Sequence, residues 1–157
     1  MPSGRAGEGA MSKAETTRNS MTLRADGAAM GAIRDFIAAF AAANRFSDDD
    51  RARVLIVVEE HVTNIVKYGY PAGAQPGSIE INLALEGDQL TIGIADDGQE
   101  FDPFNQPGPD LDESLEDRPI GRLGLHIIKS LTDEARYDRV GNRNVVKLVR
   151  RVACAPN

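Results

Sequence analysis

The chain carries two hydrophobic rhythms. From Ala28 to Ala43 the apolar positions Met30, Ile33, Ile37 and Phe40 recur three or four apart, which predicts an amphipathic helix packed on a core. A second helix is predicted from Ser47 to Tyr70, its apolar arc running through Val54, Val58, Val62 and Ile65 with Leu55 and Val66 at the margin. Ser47 and Asp50 have capping-box spacing, and Asp48-Asp49-Asp50 suits the positive end of a helix dipole. Gly69 and then Pro71 stop the run. Its β-branched content would also suit a strand, but its length favours a helix.

The rhythm then shifts to period two. Ile79, Ile81, Leu83 and Leu85 alternate, and Leu90, Ile92 and Ile94 do so again after Glu86-Gly87-Asp88-Gln89, predicting an antiparallel hairpin with one face on the core. From Asp96 to Pro119 periodicity disappears among prolines, glycines and acids, as in a functional lid or a disordered segment. Gly121 to Leu131 reads as a glycine-led helix with Leu125, Ile128 and Leu131 facing inward, and Ala135 to Val152 as two strands around Gly141-Asn142. Near the other end Met21-Thr22-Leu23-Arg24 predicts a short edge strand, preceded by a small, polar, aperiodic stretch, residues 1–20, expected to be a disordered tail. The order strand, helix, helix, hairpin, loop, helix, hairpin predicts an α+β two-layer sandwich: a mostly antiparallel mixed sheet with helices on one face. The expected domain spans residues 21–153, with a lid at about 99–121.

Composition narrows the function classes. A chain of 157 residues suits one domain with one core. A net charge of −6 argues against broad contact with nucleic-acid phosphates, so any phosphate site must concentrate its positive groups locally. The lone Cys154 rules out an internal disulfide and fits a reducing cytosol. Neither a membrane-length apolar run nor the apolar core of a signal peptide occurs, so the expected location is cytoplasmic.

Against this background the second helix carries the candidate chemistry. Glu60, Asn64 and Lys67 fall within about a quarter of its circumference at 100° per residue. Together they offer a proton acceptor, a metal ligand and a phosphate contact. Arg53 and Thr63 share that arc, so an ordinary solvated face is the competing explanation. Glu59 lies about 100° round the helix and is expected to be solvated. His61 and His126 have no second His or Cys at metal-ligand spacing, so zinc is not expected. Lys147, Arg150 and Arg151 read either as a basic, partner-facing patch or as protection of a strand edge.

Three stretches settle the balance by resemblance: EEHVTNIVKYGYP, ADDGQEFDP and GRLGLHIIKSLTDE. They resemble, in order, the asparagine box and two glycine boxes of the ATP-binding superfamily of gyrase, heat-shock chaperones, histidine kinases and MutL. Within it they look most like the anti-sigma-factor serine/threonine kinases of bacterial partner-switching systems. The resemblance implies that Asn64 coordinates Mg2+ bridging the ATP phosphates, a role suited to a hard amide oxygen. It implies that Glu60 is the general base for an incoming Ser or Thr hydroxyl. Lys67 stands in the N-x-x-K-Y form seen in histidine kinases, a position that could place its ammonium on the phosphates; a snorkelling surface lysine is the equal alternative. Asp96 is implied to accept from the exocyclic amine of adenine, with Gly98 letting the backbone pass close to the base. Gly121, Arg122, Leu123, Gly124 and Leu125 would bind phosphate at a helix N-terminus. The sequence departs from D-x-G-x-G, since Glu100 replaces the second glycine, and Arg122 replaces a frequent glycine in the third box.

The implied function is a Mg-ATP-dependent protein serine/threonine kinase acting on a STAS-type anti-sigma-factor antagonist and sequestering a sigma factor. A homodimer is a further implication, although no hydrophobic stripe marks one. The alternative is a binding module that uses ATP only to set its conformation; Glu60 favours the kinase. A histidine-kinase catalytic domain would need a phosphoacceptor helix, and a gyrase or chaperone ATPase would need further domains.

Overall fold

The computed structural model describes residues 15–105 and 122–155. In chain order the elements are β1 (Thr16–Arg24), α1 (Ala29–Ala43), α2 (Asp48–Tyr68), β2 (Ser78–Glu86), β3 (Gln89–Asp96), α3 (Arg122–Leu131), β4 (Glu134–Val140) and β5 (Arg143–Arg151). The strands form one sheet in the order β1-β2-β3-β5-β4, and every pairing is antiparallel. The expected α+β sandwich is therefore present, with an antiparallel rather than mixed sheet among the described residues.

Period-two alternation explains the single core. Ile79, Ile81, Leu83, Leu90, Ile92, Ile94, Val146 and Leu148 are buried on the helix-covered face of the sheet. They meet Ile33, Ile37 and Phe40 of α1, Val54, Val58, Val62 and Ile65 of α2, and Leu125 and Ile128 of α3. The apolar arc of α2 is rotated slightly from expectation: Val57 and His61 are buried at its flank, whereas Leu55 and Val66 are only partly buried. Gly87 and Gly141 turn the two hairpins with positive φ, as tight hairpin turns require.

Three local expectations change. The first strand begins at Thr16 rather than Met21, pairing Thr16 to Ser20 with Glu86 to Asn82 in continuous register. Its polar residues show no alternation because they are exposed on both sides of an edge strand. The capping box is half formed. Ser47 Oγ accepts from Asp50 N at 3.1 Å, but the Asp50 carboxylate turns to Arg150 at 2.6 Å and to Ala153 N at 2.7 Å. That pair separates Arg150 from Lys147 and Arg151, which lie on the opposite face, and β5 is an inner strand, so neither the triple basic patch nor edge protection applies. Beyond β5, Cys154 bridges to Phe46 and Ala155 N donates to Arg45 O, so structure extends past residues 21–153 at both ends.

Candidate functional site

α2 brings the predicted carboxylate to the predicted phosphate-binding turn. Glu60 and Asn64 are partly buried on α2, and Lys67 is exposed in its last turn. α3 packs against α2. Gly124, buried in the first turn of α3, faces Glu60 so closely that a β-carbon there would collide with Glu60 Oε2. The N–H groups of a helix's first three residues lack intrahelical acceptors and carry the positive end of the dipole, so Arg122 to Gly124 present donors beside this carboxylate. Leu125, the fourth residue of α3, is itself a core residue. Of Arg122 and Leu123 the helical backbone is described; Gly121 and most of the expected lid lie outside the described residues.

Asn64 supplies the test for a cation. Its Nδ2 is buried without a hydrogen-bond partner, an arrangement that disfavours a merely structural amide. Turning the amide over puts the oxygen there instead, a hard ligand for a divalent ion. Among the described residues no group of three His, Cys, Asp or Glu could form a metal cage. The orphaned Asn64 amide thus fits one protein ligand for such an ion.

The far end of α2 meets the acidic loop that leaves β3. Gln99 N donates to Gly69 O at 2.8 Å, and Gln99 Nε2 to Tyr68 O at 3.3 Å. A β-carbon at Gly98 would lie 2.6 Å from Gly69 O and 2.9 Å from Asp96 Oδ1. The close approach that requires glycine is therefore to the protein's own backbone. The axial rise from Glu60 to Gly69 is about 13 Å at 1.5 Å per residue, with Asn64 between them. One helix thus spaces the acidic loop, the orphaned amide and the carboxylate along a line.

Asp96 is buried, 3% exposed, and its Oδ1 accepts from Gly98 N at 2.9 Å and from Asn144 Nδ2 at 3.0 Å. Burial pushes its carboxyl up, against the Asn144 and Gly98 donors, and the balance lies above the usual carboxylate range. Its neighbour Asp97 behaves oppositely. Tyr70 Oη donates to Asp97 Oδ1 at 2.7 Å and Ser78 N at 2.9 Å, and the tyrosine bond outweighs burial to hold that carboxyl low. Burial, followed by the Asp97 bond, pushes the Tyr70 hydroxyl well above its ordinary range.

The last hairpin is where the sequence predicts it, but the place of its Asn144, Tyr137 and Arg139 at this corner is what sequence reasoning missed. Asn144 Nδ2 also donates to Gln99 O at 2.7 Å, and its Oδ1 accepts from Phe101 N at 3.2 Å, Tyr137 Oη at 2.8 Å and Arg139 Nη1 at 3.0 Å. Arg139 Nη1 donates to Gly98 O as well, at 3.0 Å. The available signal was an asparagine in phase with the inward-facing Val146 and Leu148. The chain just after this loop is fastened too, Lys129 Nζ donating to Phe104 O at 3.3 Å. Glu100, in place of a glycine, is exposed. Glu59 is not free in solvent but pairs with Arg34 of α1. His126 is exposed, whereas His61 is buried, its pKa pushed down by burial to about 4 and its Nε2 without a partner.

Comparison with known proteins identifies the family and the fold. The family profile for the histidine kinase-like ATPase domain matches residues 23–150. Serine-protein kinase RsbW from Staphylococcus aureus strains JH9 and Newman is 39% identical over 90 residues, 55% of this chain and 57% of the relative. The chain therefore spans little more than half the length of the curated relatives it matches. A solved structure of the RsbU and RsbW domains of Rv1364c from Mycobacterium tuberculosis shares the fold. Its TM-score is 0.63 at 23% identity, covering 87% of this chain and 32% of that one.

Proposed function

Because this chain belongs to the histidine kinase-like ATPase family, we propose that it is a cytoplasmic Mg-ATP-dependent serine/threonine protein kinase of the partner-switching type. Its substrate would be a STAS-domain anti-sigma-factor antagonist, and its second partner a sigma factor. The observation that carries the reading is Glu60 lying directly against Gly124 at the α3 N-terminus, one helical turn from the orphaned amide of Asn64. A carboxylate so placed faces the point where a terminal phosphate would meet an incoming hydroxyl. The similar S. aureus proteins are serine-protein kinases, which supports the same chemistry.

Phosphoryl transfer asks mainly for positioning and charge stabilisation. In this reading Asp96 accepts from the adenine amine at one end of the site, and Gly98 keeps its loop tight. The backbone N–H groups at the start of α3 and the Arg122 and Lys67 cations hold the phosphates. Glu60 takes the proton from the Ser or Thr hydroxyl while its oxygen bonds to the γ-phosphorus and the bond to the bridging oxygen breaks. That electron pair leaves with ADP. Mg2+, when bound, neutralises phosphate charge, and Asn64 is the residue that would hold it.

The test is incubation of the purified chain with γ-labelled ATP, Mg2+ and candidate STAS proteins. Label should appear on a Ser or Thr of one of them. Glu60→Gln should retain nucleotide binding while losing transfer, and Asn64→Ala should lose the Mg-dependent part of binding. Binding of ATP with no transfer to any partner would instead favour the nucleotide-dependent binding module.

A further inference from the structure

We infer that Asn144 is a positioning residue for base recognition: it fixes Asp96 and the loop after it in the orientation that reads an exocyclic amine, without itself touching the nucleotide. The inference rests on the ATP-binding reading above. Asn144 is buried, 5% exposed, and is the direct cross-strand neighbour of Asp96. A side-chain amide has two N–H donors and one oxygen with two lone pairs. Here one donor goes to Asp96 Oδ1 and the other to the Gln99 carbonyl, while the oxygen receives Phe101 N, Tyr137 Oη and Arg139 Nη1. No hydrogen-bonding capacity remains for a ligand.

That saturation has a directional result. Asp96 Oδ1 is occupied by Gly98 N and by Asn144, so Oδ2 is the acceptor left for a base. The same amide holds the backbone at both Gln99 and Phe101, which fixes where the loop leaves the site. Its own orientation is set by Tyr137 and Arg139 from the edge strand, and Arg139 reaches on to Gly98 O. Remove Asn144, and the carboxylate keeps only the Gly98 N–H, itself part of the loop, to hold Oδ1 away from the base. The loop loses two of its ties together. Selectivity for an amine should then fall more than affinity for the rest of the nucleotide.

The experiment compares two ligands on the full chain by calorimetry: ATP, and purine riboside triphosphate, which lacks the exocyclic amine. The unaltered chain should prefer ATP by on the order of ten- to hundredfold, the usual worth of a hydrogen bond to a charged group. Asn144→Leu should bring that ratio close to one, mainly by weakening ATP. Tyr137→Phe keeps the amide but removes one bond that orients it, and should lower the ratio part of the way. A folded Asn144→Leu protein with an unchanged ratio would overturn the inference, because a merely structural residue weakens both ligands alike. Should that variant fail to fold, an unchanged ratio in Tyr137→Phe overturns it equally. Absence of ATP binding by the unaltered chain overturns the parent reading and this one with it.

Discussion

Replacing Gly124 with alanine adds one methyl group where α3 meets α2. The three nearest atoms that a β-carbon would meet there belong to Glu60, with Oε2 closest and Cδ at 3.4 Å. Because the clash is with the end of a flexible side chain, the carboxylate should swing away while both helices stay in place. Alanine gains up to about 1 kcal/mol over glycine in a helix, and an off-rotamer glutamate costs about 0.5–1.5 kcal/mol. These nearly cancel, so the melting temperature should move by no more than about 2–4 °C. Catalysis responds differently, since a displacement of roughly 1 Å from productive geometry costs about a hundredfold in rate. Transfer of labelled phosphate to the partner should therefore collapse while nucleotide affinity holds. On a Glu60→Gln background the same change should add no further loss, as expected of two residues acting through one contact. Full-rate transfer by a folded Gly124→Ala protein would refute the argument that this contact positions the base.

Other consequences are separately measurable. His61 titrates near 4 in the folded chain against about 6.5 unfolded, so protons favour the unfolded state as pH falls between those values. Stability to urea should drop by about 2 kcal/mol from pH 7 to pH 5, and His61→Leu should flatten that slope. Burial alone would raise the Asp50 carboxyl, but the Ala153 N–H, Arg150 and Ser47 hold it below its ordinary range. Its contribution is present above the unfolded value and lost as pH falls through the lowered folded one. Asp50→Ala strands the nearly buried Arg150 and should cost about 3–5 kcal/mol in urea unfolding at pH 7. Asp96→Asn should erode the preference for ATP over GTP by about 1.5–3 kcal/mol, read as a Kd ratio by calorimetry.

The elements that bury a regular stripe were legible in the sequence. The alternation of Ile79 to Leu85 and Leu90 to Ile94 and the spacing from Val54 to Ile65 each reported one buried face, and the structure has those faces. β1 was half hidden, because Thr16 to Ser20 are held by backbone bonding to β2 and side-chain polarity carries no trace of that. The resemblance marked residues on either side of α2 and α3, and the fold brings Glu60 and Gly124 together. Asn144 stayed invisible for another reason. Its importance comes from the sheet order, in which β5 inserts between β3 and β4, and no local pattern encodes which strand becomes whose neighbour.

That insertion also sets a timetable for synthesis. Asp96 pairs with Ile79 early but acquires its second strand neighbour only when Asn144, 48 residues later, has left the ribosome. Until then β3 has a bare edge, the kind of surface on which nascent chains stick to one another. α2 and the β2–β3 hairpin are translated early, but the corner that orients the carboxylate arrives with the final hairpin. Closing that gap is a non-local event, and such events slow folding more than they weaken the finished fold. A ribosome-stalled chain ending before β5 should therefore lack base selectivity, and its acquisition would time the completion of the sheet.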